Sequence, residues 1–272
     1  MSPKPFLKWA GGKTQLLPVL SEHIPGKFDC YHEPFLGAGA LFFHLQPSNA
    51  VIADINQDLI NCYKCIRNEL DLVLGHIDSF PINEEFYYAL REEDRHTLFV
   101  EGSLEYKAAR LIYLNKLCYN GLFRVNKLGQ FNVPYGKYKN PKIYDWQNLM
   151  DINSYFFGNY VEISSADFEQ VISRSKSGDF VYCDPPYDVV SPTSNFTGYA
   201  MGGFTKEDHE RLKLAIDRAS RRSVKILQSN ADTPFIRNLY KDYEIIEVQA
   251  KRAINSKADK RGNVTELLIK NY

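Results

Sequence analysis

The tetrapeptide Asp184-Pro185-Pro186-Tyr187 closes the apolar run Phe180-Val181-Tyr182-Cys183. Its residue types suit one kind of chemistry, methyl transfer to the exocyclic amine of a nucleobase drawn into a pocket. Such an amine is a poor nucleophile because its lone pair is delocalised into the ring. A carboxylate and a backbone carbonyl that accept its two N–H hydrogens keep electron density on nitrogen and fix its direction of approach. Asp184 and the Pro185 carbonyl can supply those acceptors. Successive prolines remove two N–H donors and hold φ near about −65°, so the turn is stiff and its carbonyls are free to face a ligand. Tyr187 offers a flat face for an extruded base. Taken alone, the four residues also fit a strand that ends in a rigid turn.

A second segment, Glu33-Pro-Phe-Leu-Gly-Ala-Gly-Ala40, follows an apolar run and opens a helical one. Gly37 and Gly39 allow close backbone approach to a ligand. Asp54 ends the next strand about twenty residues on, where an acidic residue after such a loop binds a ribose hydroxyl pair. Only two glycines of G-x-G-x-x-G are present, which disfavours a nicotinamide cofactor. The N-terminal Lys8-Trp-Ala-Gly-Gly-Lys-Thr14 ends like a phosphate loop, but Leu7 stands where that motif requires its first glycine. Trp9 and Lys13 instead suit a ligand with both an aromatic ring and a carboxylate.

These loops require a scaffold that brings strand ends together. Short apolar runs followed by turn residues recur at Cys30–His32, Val51–Ala53, Tyr160–Ile163, Phe180–Cys183 and Val224–Leu227, the last before Gln228-Ser229-Asn230. Helical patterns separate several of them, which predicts a largely parallel α/β sheet with ligand loops at the carboxyl ends of its strands. Glu244–Gln249 and Val264–Tyr272, joined by the polar stretch Lys251–Asn263, predict a closing antiparallel pair with a mobile loop. Between residues 57 and 145 the pattern turns mainly helical, notably over Leu104–Cys118, and Asn126–Gly129 can form a hairpin tip. The expected organisation is a catalytic domain of residues 1–56 and 146–272 with an inserted domain at 57–145.

A chain of 272 residues can bury roughly three quarters of its unfolded surface. No apolar run approaches the ~20 residues of a membrane span, and the first residues lack the apolar core of a secretory signal. No membrane association and cytoplasmic residence are expected, and no obligate protein partner is evident. Cys62 and Cys65 have Cys-x-x-Cys spacing, but Leu59, Cys62, Tyr63 and Ile66 fall on one helical face, so core packing is favoured over metal or redox work. The six histidines lack ligand spacing, so no metal is expected.

The 33 basic and 33 acidic residues cancel, yet they are unevenly placed. Residues 68–105 carry ten acidic and two basic side chains, whereas 104–145 carry eight basic and two acidic ones. The basic stretch is interleaved with Tyr113, Tyr119, Phe123, Phe131, Tyr135 and Tyr138, a composition that contacts phosphates and stacks on bases. Lys139 belongs to it as a candidate phosphate contact.

Seven segments, in one fixed order over nearly the whole chain, resemble the signatures of the Dam-type DNA adenine-N6 methyltransferases that act at GATC. They are Lys8–Lys13, Glu33–Gly39, Ala53–Ile60, Tyr119–Arg124, Phe131–Tyr138, Asp184–Tyr187 and Asn195-Phe196-Thr197. The order of cofactor loop, recognition insert and Asp-Pro-Pro-Tyr resembles the family's α-type permutation. The resemblance implies a Rossmann-like fold dependent on S-adenosyl-L-methionine, with a mainly helical DNA-recognition insert carrying a β-hairpin. The cofactor would lie over Phe35–Gly39, with Asp54 at its ribose, Asp167 and Phe168 at its adenine, and Trp9 and Lys13 at its methionine end; Asp184 borders it. Double-stranded DNA is the implied substrate. Lys8, Leu122, Arg124, Pro134 and Tyr138 would recognise bases, and Tyr119 with Asn120 would insert beside the vacated stack. Residue by residue, bland readings stand beside these: Leu122 and Pro134 as hairpin core, Tyr138 as a packed aromatic, Arg124 as a solvated charge. The same turn also serves cytosine N4 or RNA, and a non-catalytic DNA-binding module could retain the fold.

Overall fold

A computed structural model describes residues 2–188, 203–251 and 263–272. The expected motif Asn195-Phe196-Thr197 and residues 252–262 of the loop expected to be mobile lie outside them. The strands are β1 (Tyr31–Glu33), β2 (Asn49–Asp54), β3 (Tyr160–Ser165), β4 (Phe180–Cys183), β5 (Lys225–Ala231), β6 (Glu244–Lys251) and β7 (Asn263–Lys270). They form one sheet in the order β3-β2-β1-β4-β5-β7-β6. β1 to β5 run parallel, and β7 lies antiparallel between β5 and β6. This is the expected Rossmann-like methyltransferase architecture, a mostly parallel sheet closed by a C-terminal antiparallel pair.

β4 explains why an unbroken apolar run makes a central strand. All four of its residues are buried. Phe180 and Tyr182 join the core on one face of the sheet, while Val181 and Cys183 join the core on the other. A parallel strand covered on both faces has no solvent side and so no alternation of polarity. The chain moves outward from β1 through β2 to β3, and then returns to β4 on the other side of β1. The β1/β4 boundary is therefore the point where strand order reverses, the place at which open α/β sheets bind ligands beyond their carboxyl ends. Glu33–Gly39 leaves one of these two strands and Asp184–Tyr187 leaves the other.

Gln228-Ser229-Asn230 were expected to end a strand as turn residues. They instead lie inside β5 and are fully buried, because β7 supplies backbone partners through Ala231, paired with Glu266. Tertiary pairing overrides their turn preference.

Of the helices, α1 (Leu17–Glu22) and α2 (Ala40–Leu45) precede the insert region, and α3 (Gln57–Asn68), α4 (Leu70–Ser79), α5 (Glu84–Glu92), α6 (Thr97–Val100) and α7 (Leu104–Leu117) dominate it. α8 (Trp146–Gly158), α9 (Phe168–Arg174), α10 (Lys206–Ser220) and α11 (Pro234–Leu239) accompany the later strands. Helix starts follow their caps: the side chains of Asn56, Ser103, Asp145 and Asp167 each accept a first-turn N–H, and Thr205 with Asp208 forms a capping box on α10. Leu59, Cys62, Tyr63 and Ile66 are buried on α3, as their spacing predicts. This helix packs against β2, β3 and α8 as well as against α7, so one core joins sheet and insert. All five cysteines are buried free thiols. Among the described residues no helix is long and apolar enough to cross a membrane.

The expected hairpin is a turn with single bridges at Val125–Phe131 and Cys118–Tyr135 rather than a ladder. Backbone bonds close it, with the Asn126 N–H donating to the Gln130 carbonyl at 2.8 Å, the Gly129 N–H to the Asn126 carbonyl at 3.0 Å and the Asn132 N–H to the Arg124 carbonyl at 3.1 Å, and one side chain adds to them. Asn126 Oδ1 accepts the N–H groups of Leu128 and Gln130, and its amide donates to Gln130 Oε1.

Candidate active site

Asp184 emerges from the buried end of β4, and its nearest charge is Lys13. Lys13 Nζ lies 3.0 Å from Asp184 Oδ1, with side-chain exposures of 9% and 17%. Burial pushes the Asp184 carboxyl up to about 6; Lys13 opposes that shift by charge and hydrogen bond, and the Glu266 carboxylate adds to it. The same ammonium donates to the Gly11 carbonyl at 2.9 Å and sits 4.5 Å from the centroid of the Tyr187 ring. Tyr187 donates its hydroxyl to Glu266 Oε2 at 2.7 Å. Pro185 is buried between them in sequence. Beyond the turn, the Asp188 N–H donates to Asn230 Oδ1 at 3.2 Å and Thr233 donates its hydroxyl to Asp188 Oδ2 at 2.7 Å. The turn is thus fastened to β7 on one side and to β5 and the start of α11 on the other.

The glycine loop lies across the strand-order reversal. Gly37 and Gly39 have φ of 50° and 68°, a region where a Cβ is strained. A Cβ at Gly37 would also come within 3.1 Å of Trp9 Cδ1. Asp54 Oδ2 accepts the Gly37 N–H at 3.0 Å and Oδ1 accepts the Asn56 N–H at 2.9 Å, so this carboxylate braces the loop. Burial raises its pKa and those N–H bonds oppose the rise. Behind it, buried Glu33 accepts the Tyr31 hydroxyl at 2.8 Å, and its carboxyl is driven well up, chiefly by burial. The Phe35 and Phe168 rings stack at 5.4 Å, and Phe204 stands edge-on to Phe35 at 5.8 Å. Asp167 caps α9 and pairs with Arg211, which also lies over Phe168.

Trp9, expected at the methionine end of the cofactor, touches two regions at once. Besides approaching Gly37, it stacks on Phe123 of the insert at 4.7 Å and 21°. Lys8, its exposed neighbour, crosses directly over Gly121 and reaches within 5.3 Å of the Tyr138 ring. Buried Asn115 fixes Lys8 by accepting its N–H and donating to its carbonyl. Tyr119 is 55% exposed and its N–H donates to the Pro134 carbonyl; Asn120 is exposed in a left-handed conformation with φ 58°. Pro134 is exposed rather than packed in a core, Leu122 is half-buried, and half-buried Tyr138 donates its hydroxyl to the Cys118 carbonyl. Arg124 is exposed but not loose, since it donates to Asn132 Oδ1 at 2.7 Å and to the Asn132 carbonyl at 3.1 Å. Lys139 is exposed. Short contacts thus link Lys8 to Tyr138, and Tyr119 to Pro134 and Leu122, whereas Arg124 is tied to Asn132.

Three contributors were not anticipated from the sequence. Glu266 was hidden in the apolar run Val264–Ile269, where a lone carboxylate is the available signal; Asn115 is similarly a lone amide among the buried residues of α7. The pairing of Lys13 with Asp184 carries no local signal, because 171 positions, the difference of 184 and 13, separate the two.

Comparison with known proteins identifies the family. The profile of the D12 class N6 adenine-specific DNA methyltransferases matches residues 9–254. The Type II methyltransferase M1.LlaDCHI of Lactococcus lactis subsp. cremoris is 42% identical over 99% of the chain and 95% of its own length. M.MjaIII, a Type II methyltransferase of Methanocaldococcus jannaschii, is 41% identical over the full length of both. The DNA adenine methylase of Escherichia coli K12 is 36% identical over 97% of the chain and 93% of its own length.

Proposed function

The chain belongs to the D12 class N6 adenine-specific DNA methyltransferase family, with S-adenosyl-L-methionine as methyl donor, and from that premise we propose that it methylates adenine N6 within GATC in duplex DNA after extruding the target base. The observation that carries the reading is the placement of Asp184 and Tyr187 beside the Gly37 loop at the β1/β4 reversal, with Trp9 connecting that loop to the insert. The residues fit the donor: left-handed glycines leave room at the loop, Asp54 is braced to face a ribose, Phe35 and Phe168 form an apolar wall for a purine, and Asp167 stands at its edge. Residues 57–145 act as the target-recognition insert and residues 1–56 with 146–272 as the catalytic domain, with α3 shared between them.

When bound, the donor supplies an electrophilic methyl group on a sulfonium for in-line displacement. Every other contribution belongs to the protein. Asp184 and the Pro185 carbonyl accept the two N6 hydrogens and aim the nitrogen lone pair. Asp184 need not take a proton beforehand, because stabilising N6 as it becomes positive is sufficient, and the proton can leave afterwards. Tyr187 stacks on the extruded base. Lys13, which pairs with Asp184, would hold the carboxylate of the donor, and Trp9 would cover its methionine end. Tyr119 and Asn120 enter the space beside the vacated stack. Arg124, already oriented by Asn132, reaches guanine in a bidentate contact worth ~1–3 kcal/mol of discrimination, and Leu122 and Pro134 meet a thymine methyl. Lys8 and Tyr138 complete base recognition, and Lys139 touches phosphate.

The test is to methylate a plasmid in vitro and expose it to one nuclease blocked by methyl-adenine in GATC and another that requires it. Protection from the first with sensitivity to the second is expected. Methyl-adenine found in the product with neither change would place the recognition sequence elsewhere, and methyl-cytosine would overturn the target base.

A further inference from the structure

Tyr187 can serve as a platform for a flat base only if its ring plane is held, and a tyrosine ring turns about two side-chain bonds unless its neighbours fix it. The described contact that restrains the hydroxyl end is the hydrogen bond to Glu266 Oε2 at 2.7 Å. Glu266 sits on the most rigid support available, since β7 is paired on both flanks: Glu266 lies opposite Ala231 of β5 and Val248 of β6. Lys13 Nζ lies over the ring face, and its ion pair with Asp184 ties it to the catalytic carboxylate. The ring is therefore held at its tip by Glu266 and faced by a cation that has to leave when a base enters. Once Lys13 has moved, the bond to Glu266 is the polar contact on the ring that remains among the described residues.

We propose that Glu266 is a positioning residue for base methylation, holding Tyr187 in the plane on which the extruded adenine stacks. The inference rests on the reading of Tyr187 as the stacking face. Glu266 has no contact with the reacting amine in this scheme. Its oxygen acts as a hydrogen-bond acceptor, and its charge is incidental to positioning.

Glu266→Ala, Glu266→Gln, Tyr187→Phe, Tyr187→Ala and the pair Glu266→Ala with Tyr187→Phe separate these roles. Single-turnover methylation of a GATC duplex is measured at saturating DNA and cofactor near pH 8, above the titration of Asp184, with cofactor affinity measured in parallel. Loss of a hydrogen bond to a charged group predicts at least about a tenfold slower reaction for Glu266→Ala and for Tyr187→Phe, with cofactor affinity within about twofold. Because both changes cut one bond, the double variant is expected to be no slower than the worse single variant by more than about threefold. Gln retains the acceptor oxygen, so Glu266→Gln is expected within about threefold of the parent. Losses that multiply in the double variant, a Glu266→Gln as slow as Glu266→Ala, or a Tyr187→Phe as fast as the parent would overturn the proposal. Tyr187→Phe deletes a single oxygen, so the bond remains testable even if Glu266→Ala fails to fold. Full turnover by Tyr187→Ala would instead remove the stacking reading itself.

Discussion

Replacing Lys13 by Met tests whether the ammonium tunes Asp184 before a base enters. Met keeps most of the apolar stem and removes the charge. At 3.0 Å and with little exposure of either side chain, the bare attraction is on the order of 5 kcal/mol at an effective dielectric of about 20. Desolvation offsets much of this, and the net effect of a neighbouring cation on a carboxyl is typically about 1–3 pH units. The Asp184 carboxyl, already raised to about 6 by burial, then moves to roughly 7–9 in Lys13→Met. The ionised form is the useful one, so activity is lost as pH falls through that value. At a midpoint of about 8, the variant would be slowed about tenfold at pH 7 and would recover toward the parent rate above about pH 9. The assay is kcat/KM for the duplex against pH with cofactor saturating at every point, which reports Asp184 before a base enters and removes any contribution of Lys13 to cofactor affinity. An acid limb at the same pH in both proteins would refute the reasoning and leave Lys13 with the methionine end of the cofactor alone.

Asp184→Ala should lose nearly all turnover while still binding duplex in the presence of cofactor; a rate within about tenfold of the parent, as tritium incorporation would show, would remove Asp184 from the chemistry. Asp54→Ala deletes a charged hydrogen-bond partner worth on the order of 1.5–3 kcal/mol and also releases the Gly37 N–H, so calorimetric cofactor affinity should fall at least about tenfold with duplex affinity little changed. An unchanged cofactor dissociation constant would place Asp54 outside the site. Arg124→Ala should shrink the preference for GATC over singly altered sites by roughly 1–3 kcal/mol, whereas Lys139→Ala should weaken all sequences alike and lower the salt slope by about one. Equal behaviour of the two variants, measured by competition binding, would make the turn an electrostatic anchor. Burial holds His209 down to about 4, whereas an unfolded chain binds that proton near pH 6.5. Stability should therefore decline as pH falls below about 6.5, by on the order of 2 kcal/mol by pH 5. His209→Leu should flatten the drop in Tm between pH 7 and 5, and an equally steep drop would mean that His209 is not the group responsible.

The difference between what the sequence disclosed and what it did not follows from the range of the forces involved. β4 was legible because burial on both faces demands four consecutive apolar residues, and its turn was legible because proline chemistry is local. Gln228-Ser229-Asn230 misled for the converse reason: their local preference is for turns, and the partner that overrides it is β7, near the other end of the chain. The hairpin tip was legible in Asn126–Gly129, where backbone bonds and the Asn126 side chain close the turn, but its pairing is limited to single bridges.

The surroundings of Asp184 are longer-ranged still. Lys13 comes to the Asp184–Tyr187 turn from the N-terminal segment and Glu266 comes to it from β7. Their charges oppose one another at Asp184: burial and Glu266 favour the neutral acid, and Lys13 favours the carboxylate. In the proposed reaction Asp184 has to be ionised when the base arrives, and the base would enter where Lys13 lies over Tyr187. Departure of the ammonium would raise the carboxyl further unless another cation took its place.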